Sequence, residues 1–475
     1  MNNWGASMAS STTKIIVGVI IAFIVGIGVG YAVTLGTVKP AAVTTTVTVT
    51  KSSVSTVTVT KTVGAPGAKT VTVTTTVTAT KPVTTTVKTT STVTSAVTVT
   101  KAAPVTLVVI GPWAGEEMKA FMQVIKAFEQ EHPNIKVEYR IYRAEDLASI
   151  APPQFAAHMT PGDVIFTAWG WWVKKMAEKG YLYDLSGLVN PDEFIIKPVT
   201  VNGKIYGLPF AAWAKPGFWY RKSFFEKYGL QPPKTWDDFL NLLKKLKNIL
   251  GGPPIVSGDS VGWPLSDVVE HFLITFGGPQ LQLELIQGKV KFTDPQVKEI
   301  FEKYLIPLLK EGYFSKPIEW TRAVQLWWHG KYALYFMGTW ITGMVPDPSD
   351  LAFFPLPGCK GVVMGTDFII VPKYTKHPKE ALMLAKWLAT EGQKVYVGTH
   401  AGKFATWKKV PISAHWEPMQ LVYQKLKEMT PLPDLDDSVG GQWQKLFWDQ
   451  LKLLWVDPSR LNQVLQVLTQ NFPKK

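Results

Sequence analysis

The amino-acid sequence predicts an α/β fold of two lobes, preceded by a membrane-spanning helix and a low-complexity stalk. Three observations predict it. Strand, turn and helix patterns alternate from residue 105 onward, an uncharged apolar run occupies residues 15–35, and a tract rich in threonine and valine separates the two regions. Alternation of this kind is typical of sheets covered by helices on both faces.

The amino-terminal segment has the character of a membrane anchor. Lys14 precedes Ile15 to Leu35, a run of 21 residues without charge, which is about the length that crosses a bilayer as a helix. The apolar region of a signal peptide is shorter, roughly 7 to 15 residues, and the context of Lys39 is poor for cleavage. An uncleaved anchor is therefore favoured over a removed signal. We assign residues 1–14 to a short tail and 15–36 to a single-pass transmembrane anchor, with the binding domain outside the cell.

Residues 37–103 are predicted to be a stalk. The pattern T-V-T-V-T-K occurs at Thr46 to Lys51 and again at Thr56 to Lys61, and alternating Val and Thr favours an extended backbone. Fully stretched, the tract would span on the order of 200 Å. Its dense threonine is compatible with O-glycosylation, which would keep the tract from pairing with other strands. A bare flexible linker is the alternative.

Charge and cysteine content exclude two classes of protein. Eight lysines precede the first acidic residue, Glu116, so +8 of the net charge of +14 belongs to the amino-terminal segment. The remainder mixes both signs, whereas nucleic-acid binding requires basic residues gathered on one folded face. Cys359 is the only cysteine. It excludes an intrachain disulfide and lipid attachment to a cysteine after the apolar segment.

The first part of the folded region is predicted to alternate strands and helices. Apolar runs predict strands at 105–110, 135–142 and 164–167, and helices are expected at 116–131 and 171–179. In such sheets, ligands bind beyond the carboxyl ends of the strands. Trp113 and Trp169 lie at those ends.

The middle of the chain is predicted to cross from one lobe to the other. Asn202-Gly203 predicts a hairpin that ends at Pro209, and Phe210 to Pro216 is expected to be irregular backbone between the lobes. Phe218 to Tyr220 is expected to form a buried strand. Thr235 is placed to cap a helix with Asp237 and Asp238 in its first turn.

These motifs, taken in order, resemble the extracellular solute-binding proteins of carbohydrate ABC importers, the maltose-binding type. The matching stretches are VNGKIYGLP at 201–209, F-E-K-Y-G-L followed by P-P-K-T-W-D-D-F, FEQEHPNIKVEY at 128–139, and GKYALYFMGTW at 330–340. The resemblance implies a two-lobe, type II periplasmic-binding-protein-like clamshell. It places residues 104–212 plus 363–405 in lobe 1 and residues 213–362 plus 406–475 in lobe 2.

The resemblance implies transport rather than catalysis. It points to a receptor that captures a carbohydrate, an oligosaccharide above all, in an aromatic cleft between the lobes and delivers it to the permease subunits of an ABC importer. No catalytic residue, cofactor, metal or nucleic-acid partner is expected, and the stalked anchor suggests an archaeal-type envelope. The alternatives are a surface glycoside hydrolase, a receptor for a non-sugar ligand such as a peptide, and an adhesin.

Tryptophan is the most informative residue for the binding site, because an indole buries a large apolar face while its N–H still donates a hydrogen bond. The chain has 19 of them. Trp340, in a G-T-W sequence, resembles the residue that stacks on sugar in maltose-type receptors, and Trp443 resembles a carboxyl-terminal aromatic of that group. The candidate ligand-binding residues are Trp113, Glu116, Glu117, Trp169, Trp171, Trp213, Trp263, Trp340, Asp367 and Trp443.

The polar candidates have structural interpretations beside the functional one. Glu116 and Glu117 can accept sugar hydroxyls or can be solvated charges in the first turn of a helix. Asp267, Asp367 and Lys215 carry the same ambiguity. Gly170 and Ala214 stand where the resembling family carries carboxylates, which argues against maltose itself as the ligand.

Overall fold

The computed structural model describes residues 43–45, 55–61, 71–77, 89–91, 104–260 and 262–474. The chain divides into two compact units, Met1–Thr100 and Lys101–Lys475. The predicted anchor at residues 15–36 lies outside the described residues. Within the described part, every helix is too short or too polar to cross a bilayer.

The described residues of the amino-terminal unit are four strands in two antiparallel pairs. β1 pairs with β4 and β2 pairs with β3. The strands are β1 (Val43–Thr45), β2 (Ser55–Lys61), β3 (Val71–Val77) and β4 (Thr89–Ser91). The strand conformation agrees with the extended backbone favoured by the sequence, and the pairing shortens the reach that a fully stretched tract would have; the stalk stays a prediction. Alternating Val and Thr suits a pleated strand, and strand pairing satisfies backbone groups that an isolated strand leaves open.

The second unit contains two main sheets and one short pair. Its strands are β5 (Val105–Gly111), β6 (Ile135–Ile141), β7 (Val164–Thr167), β8 (Val199–Val201), β9 (Lys204–Lys215), β10 (Gly217–Arg221), β11 (Ile255–Val256), β12 (Gly258–Asp259), β13 (Ile318–Glu319), β14 (Leu334–Met337), β15 (Leu351–Phe354), β16 (Gly361–Ile370), β17 (Phe404–Ala405) and β18 (Thr430–Leu432).

The larger sheet has eight strands and is mixed. Its main order is β17-β9-β16-β7-β5-β6, with β8 paired to β9 and β18 paired to β16. β6, β5 and β7 run parallel, whereas β16 is antiparallel to both β7 and β9. The smaller sheet has the order β11-β14-β10-β15, and β12 pairs with β13.

Helices cover the sheets and supply the remaining connections. They are α1 (Gly115–Glu131), α2 (Ala144–Ala156), α3 (Gly170–Glu178), α4 (Lys222–Lys227), α5 (Trp236–Leu250), α6 (Trp263–Ile286), α7 (Pro295–Ile300), α8 (Ile306–Lys310), α9 (Trp320–Trp328), α10 (Pro378–Ala389), α11 (Glu391–Val397), α12 (Glu417–Leu426), α13 (Leu435–Val439), α14 (Gly441–Val456) and α15 (Leu461–Gln470). A π-helical turn, Phe301–Leu305, joins α7 to α8.

The predicted elements of the first part are confirmed within one or two residues. β5, α1, β6, α2, β7 and α3 follow one another in the expected alternation. α5 begins as its sequence indicates, because Thr235 accepts from the backbone N–H of Asp238 while the Asp238 carboxylate accepts from the N–H of Thr235. This capping box satisfies two donors that the first turn would otherwise leave open.

The predicted irregular crossing at Phe210 to Pro216 is wrong, because β9 runs without interruption from Lys204 to Lys215. β9 pairs with β16, which lies about 150 residues further along the chain. The backbone passes to the smaller sheet at Gly217, which has a φ of 142°. A Cβ atom there would lie 2.3 Å from the carbonyl oxygen of Phe354, so only glycine fits this crossing.

Buried apolar side chains form a core on each side of the larger sheet. One cluster packs α1 and α10 onto the sheet through residues such as Phe121, Phe128 and Leu384. A larger cluster includes Phe155 from α2 and continues through Phe239 and Leu243 of α5. His271 is buried beside this core, and its Nε2 accepts the backbone N–H of Leu356.

Candidate functional site

A cavity opens at the carboxyl ends of β5 and β7, where the sequence places the binding site. It encloses about 910 Å³ of space between protein atoms, including its open mouth. Side chains that follow strands of both main sheets line it. Six tryptophans are among them: Trp113, Trp169, Trp213, Trp263, Trp320 and Trp340.

Four of these indoles form a continuous array along the cavity wall. The ring centroids of Trp213 and Trp340 are 5.5 Å apart, and those of Trp340 and Trp263 are 5.8 Å apart. Trp320 follows at 5.2 Å from Trp263. All three pairs meet edge to face, an arrangement that the charge distribution of aromatic rings favours. Trp263, Trp320 and Trp340 are only partly buried, so indole surface remains open to a ligand.

Two glycines make room for the array. A Cβ atom at Gly365 would lie 2.3 Å from Trp213, and one at Gly338 would lie 2.0 Å from Trp340. Both distances are far below van der Waals contact, so a side chain at either position would displace the indole. The G-T-W sequence thus has a local function, because its glycine admits the tryptophan two residues later.

Trp113 and Trp169 contribute differently from the array. Trp113 is 2 % exposed, with its ring centroid 4.5 Å from Phe121 and 4.7 Å from Phe166. The backbone N–H of Trp113 donates to the hydroxyl of Tyr139 at 2.9 Å. Trp169 lies at the amino-terminal end of α3 and stacks on Trp171. Trp113 therefore forms the floor of the cavity more than an open stacking surface.

A buried charge group lies beside Trp113. Lys403 donates to the Asp367 carboxylate at 3.1 Å, and both residues line the cavity. Glu117 shares this region and is 6 % exposed. Burial raises the pKa of Glu117 to about 8, against the opposing attraction of Lys403. Burial also raises the pKa of Tyr139 above its usual value. Glu117 is thus poised to hold its proton or to release it near neutral pH.

A second buried charge group centres on Lys215 at the end of β9. Its ammonium group donates to Asp267 at the start of α6 and to Asp434 before α13. Burial raises the pKa of Asp267 to about 7. For Asp434, burial acts in the same direction and is the largest single cause, but Lys215 together with hydrogen bonds from Asp436 and Asp437 holds the pKa below its usual value. Lys215 also lies 5.1 Å from the ring centroid of Trp213.

The helix α13 brings two further carboxylates to the wall. Asp436 is buried and accepts from Trp448 Nε1 and from Ser266. Asp437 is half-buried and accepts from Gln444 at 2.6 Å. Burial raises the pKa of both carboxyls well above the usual value. Their hydrogen-bond donors are neutral, so the wall keeps an excess of carboxylates over lysines.

Seven predicted site residues line the cavity and three do not. Those in the wall are Trp113, Glu117, Trp169, Trp213, Trp263, Trp340 and Asp367. Glu116 points to solvent and pairs with Lys119 at 2.6 Å, because consecutive residues of a helix face different directions. Trp171 packs behind Trp169 against Gly440. Trp443 is buried in the helical core, where its Nε1 donates to Leu468 at 3.1 Å.

Several lining residues have no counterpart among the predicted site residues. They include Arg143, Glu145, Trp320, Lys403, Asp434, Asp436 and Asp437. The run Asp434-Leu435-Asp436-Asp437 offered a weak signal, since it gathers three carboxylates in four residues, but carboxylates are common at a helix start. Lys403 offered none, because its burial depends on Asp367 and Trp340, both distant along the chain.

The sequence matches the family described as bacterial extracellular solute-binding protein over residues 112–395. An uncharacterised ABC transporter extracellular-binding protein of Pyrococcus horikoshii is 64% identical over 375 residues, which cover 78% of this chain and 89% of the relative. The multiple sugar-binding protein of Streptococcus mutans is 25% identical over 295 residues, covering 58% of this chain and 69% of that protein.

A solved structure shares the fold. The maltose-bound receptor of T. maritima superposes with a TM-score of 0.60 at 18% identity, covering 78% of this chain and 99% of that one. A likeness at this identity concerns the fold alone. It supports the type II periplasmic-binding-protein-like architecture expected from the sequence.

Proposed function

Since the chain belongs to the bacterial extracellular solute-binding protein family, and is thus the binding component of an ABC importer rather than an enzyme, we propose that its cavity captures a carbohydrate. The ligand class is an oligosaccharide, taken up outside the cell and passed to the importer's permease subunits. The observation that carries the proposal is the array of Trp213, Trp340, Trp263 and Trp320 beside buried carboxylates and lysines.

The chemistry of the wall suits a sugar. A pyranose ring presents apolar C–H faces and a rim of hydroxyls, and an indole face covers the former while charged groups bond the latter. Lys403 with Asp367, and Lys215 with Asp434, offer both donors and acceptors at fixed positions. The array has several indoles in sequence, so it offers stacking area for more than one sugar ring. The relatives named for multiple sugars and for maltose agree with this assignment.

We also propose that ligand binding closes two lobes around the cavity. The lobes are residues 104–212 plus 363–405 and residues 213–362 plus 406–475, and the two main sheets support this division. Two strand pairings move the boundaries between the lobes. β9 stays with the larger sheet as far as Lys215, and β18 pairs with β16 of that sheet. Residues 15–36 would anchor the protein in the membrane as a single span. Closure would then present to the permease a surface formed only with ligand bound.

Tryptophan fluorescence tests the proposal directly. The purified protein is titrated with neutral mono-, di- and oligosaccharides and with short peptides, beside the variant Trp340→Ala. We expect a saturable change with one sugar class and an affinity lower by roughly tenfold or more in the variant, since about 1.4 kcal/mol of lost stacking gives that factor. The matched control is Trp416→Ala, because Trp416 is half-buried outside the cavity and its ring lies 4.6 Å from that of His400.

Two results would contradict the carbohydrate assignment. A response to peptides with silence across the sugars would identify a receptor for a different solute. An equal loss of affinity in Trp340→Ala and Trp416→Ala would mean that the cavity is not the site of binding.

A further inference from the structure

Three carboxylates converge in the wall behind the cavity. Oxygen atoms of Asp267, Glu270 and Asp434 all lie within 4.8 Å of one another. The three side chains are buried, with residue exposures of 2%, 0% and 5%. Asp267 and Glu270 share one face of α6 because they are three residues apart. Asp434 joins them from the turn before α13. Buried carboxylates at this spacing require a positive partner.

The described residues supply only part of that positive charge. Lys215 donates to Asp267 Oδ1 and to Asp434 Oδ2, and it is the one ammonium group bonded to the cluster within the part of the chain that the structure describes. Three carboxylates and one ammonium group leave a formal charge of −2. One divalent cation would neutralise it.

The same region contains buried oxygens that lack hydrogen-bond partners within the described part of the chain. Asp267 Oδ2 and Glu270 Oε1 are buried and lack hydrogen-bond partners among the described residues, as does Gln282 Oε1. Gln282 is fully buried against Glu270, since its Nε2 donates to Glu270 Oε2. Along a straight helix these two residues would be about 18 Å apart. The non-helical Gly278, with a φ of 81°, breaks α6 and folds Gln282 back to the carboxylates.

We propose that this cluster is a binding site for one divalent cation, with Ca²⁺ as the best fit. Asp267, Glu270 and Asp434 would coordinate it, with the amide oxygen of Gln282, while Lys215 keeps its present partners. The donors are all oxygen, which hard cations prefer over zinc or copper. Calcium holds its ligands at roughly 2.3–2.6 Å. Two such ligands on opposite sides of the ion are about 5 Å apart, and the three carboxylates lie close enough together to reach one ion.

The ion would join two segments of the chain, because Asp267 and Glu270 belong to α6 and Asp434 precedes α13. Lys215, at the end of β9, donates to two of the ligands and ties a third segment to them. Two of these residues, Lys215 and Asp434, also line the cavity. Cation binding is therefore expected to stabilise the wall whether or not a carbohydrate is present. Cation binding can therefore be measured without a carbohydrate ligand, and its absence would not contradict carbohydrate binding.

The test uses the full chain after treatment with a chelator. Terbium serves as the calcium probe, because excitation of nearby tryptophan sensitises its luminescence, and Trp213 and Trp263 lie close to Lys215. We expect saturable terbium luminescence with one ion per chain, displacement by Ca²⁺, and a rise in Tm when Ca²⁺ is added. Glu270→Gln should lower the terbium affinity by at least about tenfold. The matched control, Glu284→Gln, changes the same group on the same helix, where Glu284 accepts from Gln280, and should bind as the unmodified chain does.

Three outcomes would overturn the site. The first is that the unmodified chain binds neither terbium nor calcium. The second is that Glu270→Gln binds the ion as well as the unmodified chain does. The third is that Glu284→Gln loses binding as much as Glu270→Gln does. Equilibrium dialysis of the unmodified chain against Ca²⁺, with the metal content measured directly, decides the matter even if Glu270→Gln does not fold. A chain that binds no metal would instead balance the cluster with two protons.

Discussion

Replacing Glu117 with glutamine is expected to remove a pH dependence of the folding free energy. Glu117 is buried beside Lys403, Asp367, Tyr139 and Tyr396, and burial raises its pKa to about 8 from an ordinary value of 4.5. In the unfolded chain the carboxyl is solvated and titrates near the ordinary value. The folded state therefore binds more protons than the unfolded state between these two pKa values.

The sign and size follow from this difference. A raised folded-state pKa contributes stability that is complete below the unfolded pKa and is lost as the pH rises through the folded pKa. Each unit of pKa difference corresponds to about 1.4 kcal/mol. Between about pH 5 and pH 8, the free energy of unfolding should fall by on the order of 3 kcal/mol because of this one group, so the protein becomes less stable. Glutamine keeps the shape of the neutral acid and has no proton to lose.

Denaturant unfolding of the ligand-free protein at several pH values measures the effect. The unmodified protein should lose stability relative to Glu117→Gln as the pH rises, and other groups that titrate in this window cancel in the comparison. Glu116→Gln is the matched control, because Glu116 is an exposed neighbour on the same helix that pairs with Lys119. Parallel stability profiles for the unmodified protein and Glu117→Gln would refute the reasoning.

Three further changes test other parts of the structure. Gly365→Ala should lower ligand affinity by roughly tenfold in a calorimetric titration, since the new Cβ atom displaces Trp213, whereas Gly252→Ala enters open space and should bind normally. Lys403→Met should cost about 3–5 kcal/mol in denaturant unfolding by leaving Asp367 buried and unpaired, and adding Asp367→Leu should restore most of it; no recovery would contradict the pairing. Thr235→Ala should cost about 1 kcal/mol through the lost cap of α5, and an unchanged unfolding midpoint would contradict that role.

Local patterns predicted elements between β5 and α5 but not the path of β9. Caps, turn residues and apolar spacing are short-range signals, and they predicted α5 and the strand and helix alternation from β5 to α3. Phe210 to Lys215 carries no such signal, because Ala, Trp and Lys do not alternate. Its strand conformation comes from hydrogen bonds to β16, a partner that a reading of neighbouring residues does not reveal.

Local patterns also predicted only part of the candidate site. Tryptophans after strands of the larger sheet were predictable, because the carboxyl ends of its parallel strands meet at one edge. Trp320 and Lys403 reach the cavity only through tertiary packing, against Trp263 and Asp367 respectively. Conversely, Trp443 has the residue type expected of a sugar site but lies on the buried face of α14. Residue type indicates which residues could bind a ligand. The face of the helix on which a residue lies, and its long-range packing, determine whether it lines the cavity.

The placement of the buried ion pairs favours a role in binding over a role in stability. Removing charges from water costs about as much as their attraction returns, so buried pairs add little net stability. Lys215 with Asp267 and Asp434, and Lys403 with Asp367, all have members in the cavity wall. Each pair fixes polar groups that are distant in sequence. A wall whose donors and acceptors are already in place needs less ordering when the ligand arrives, and the affinity rises by the ordering cost avoided.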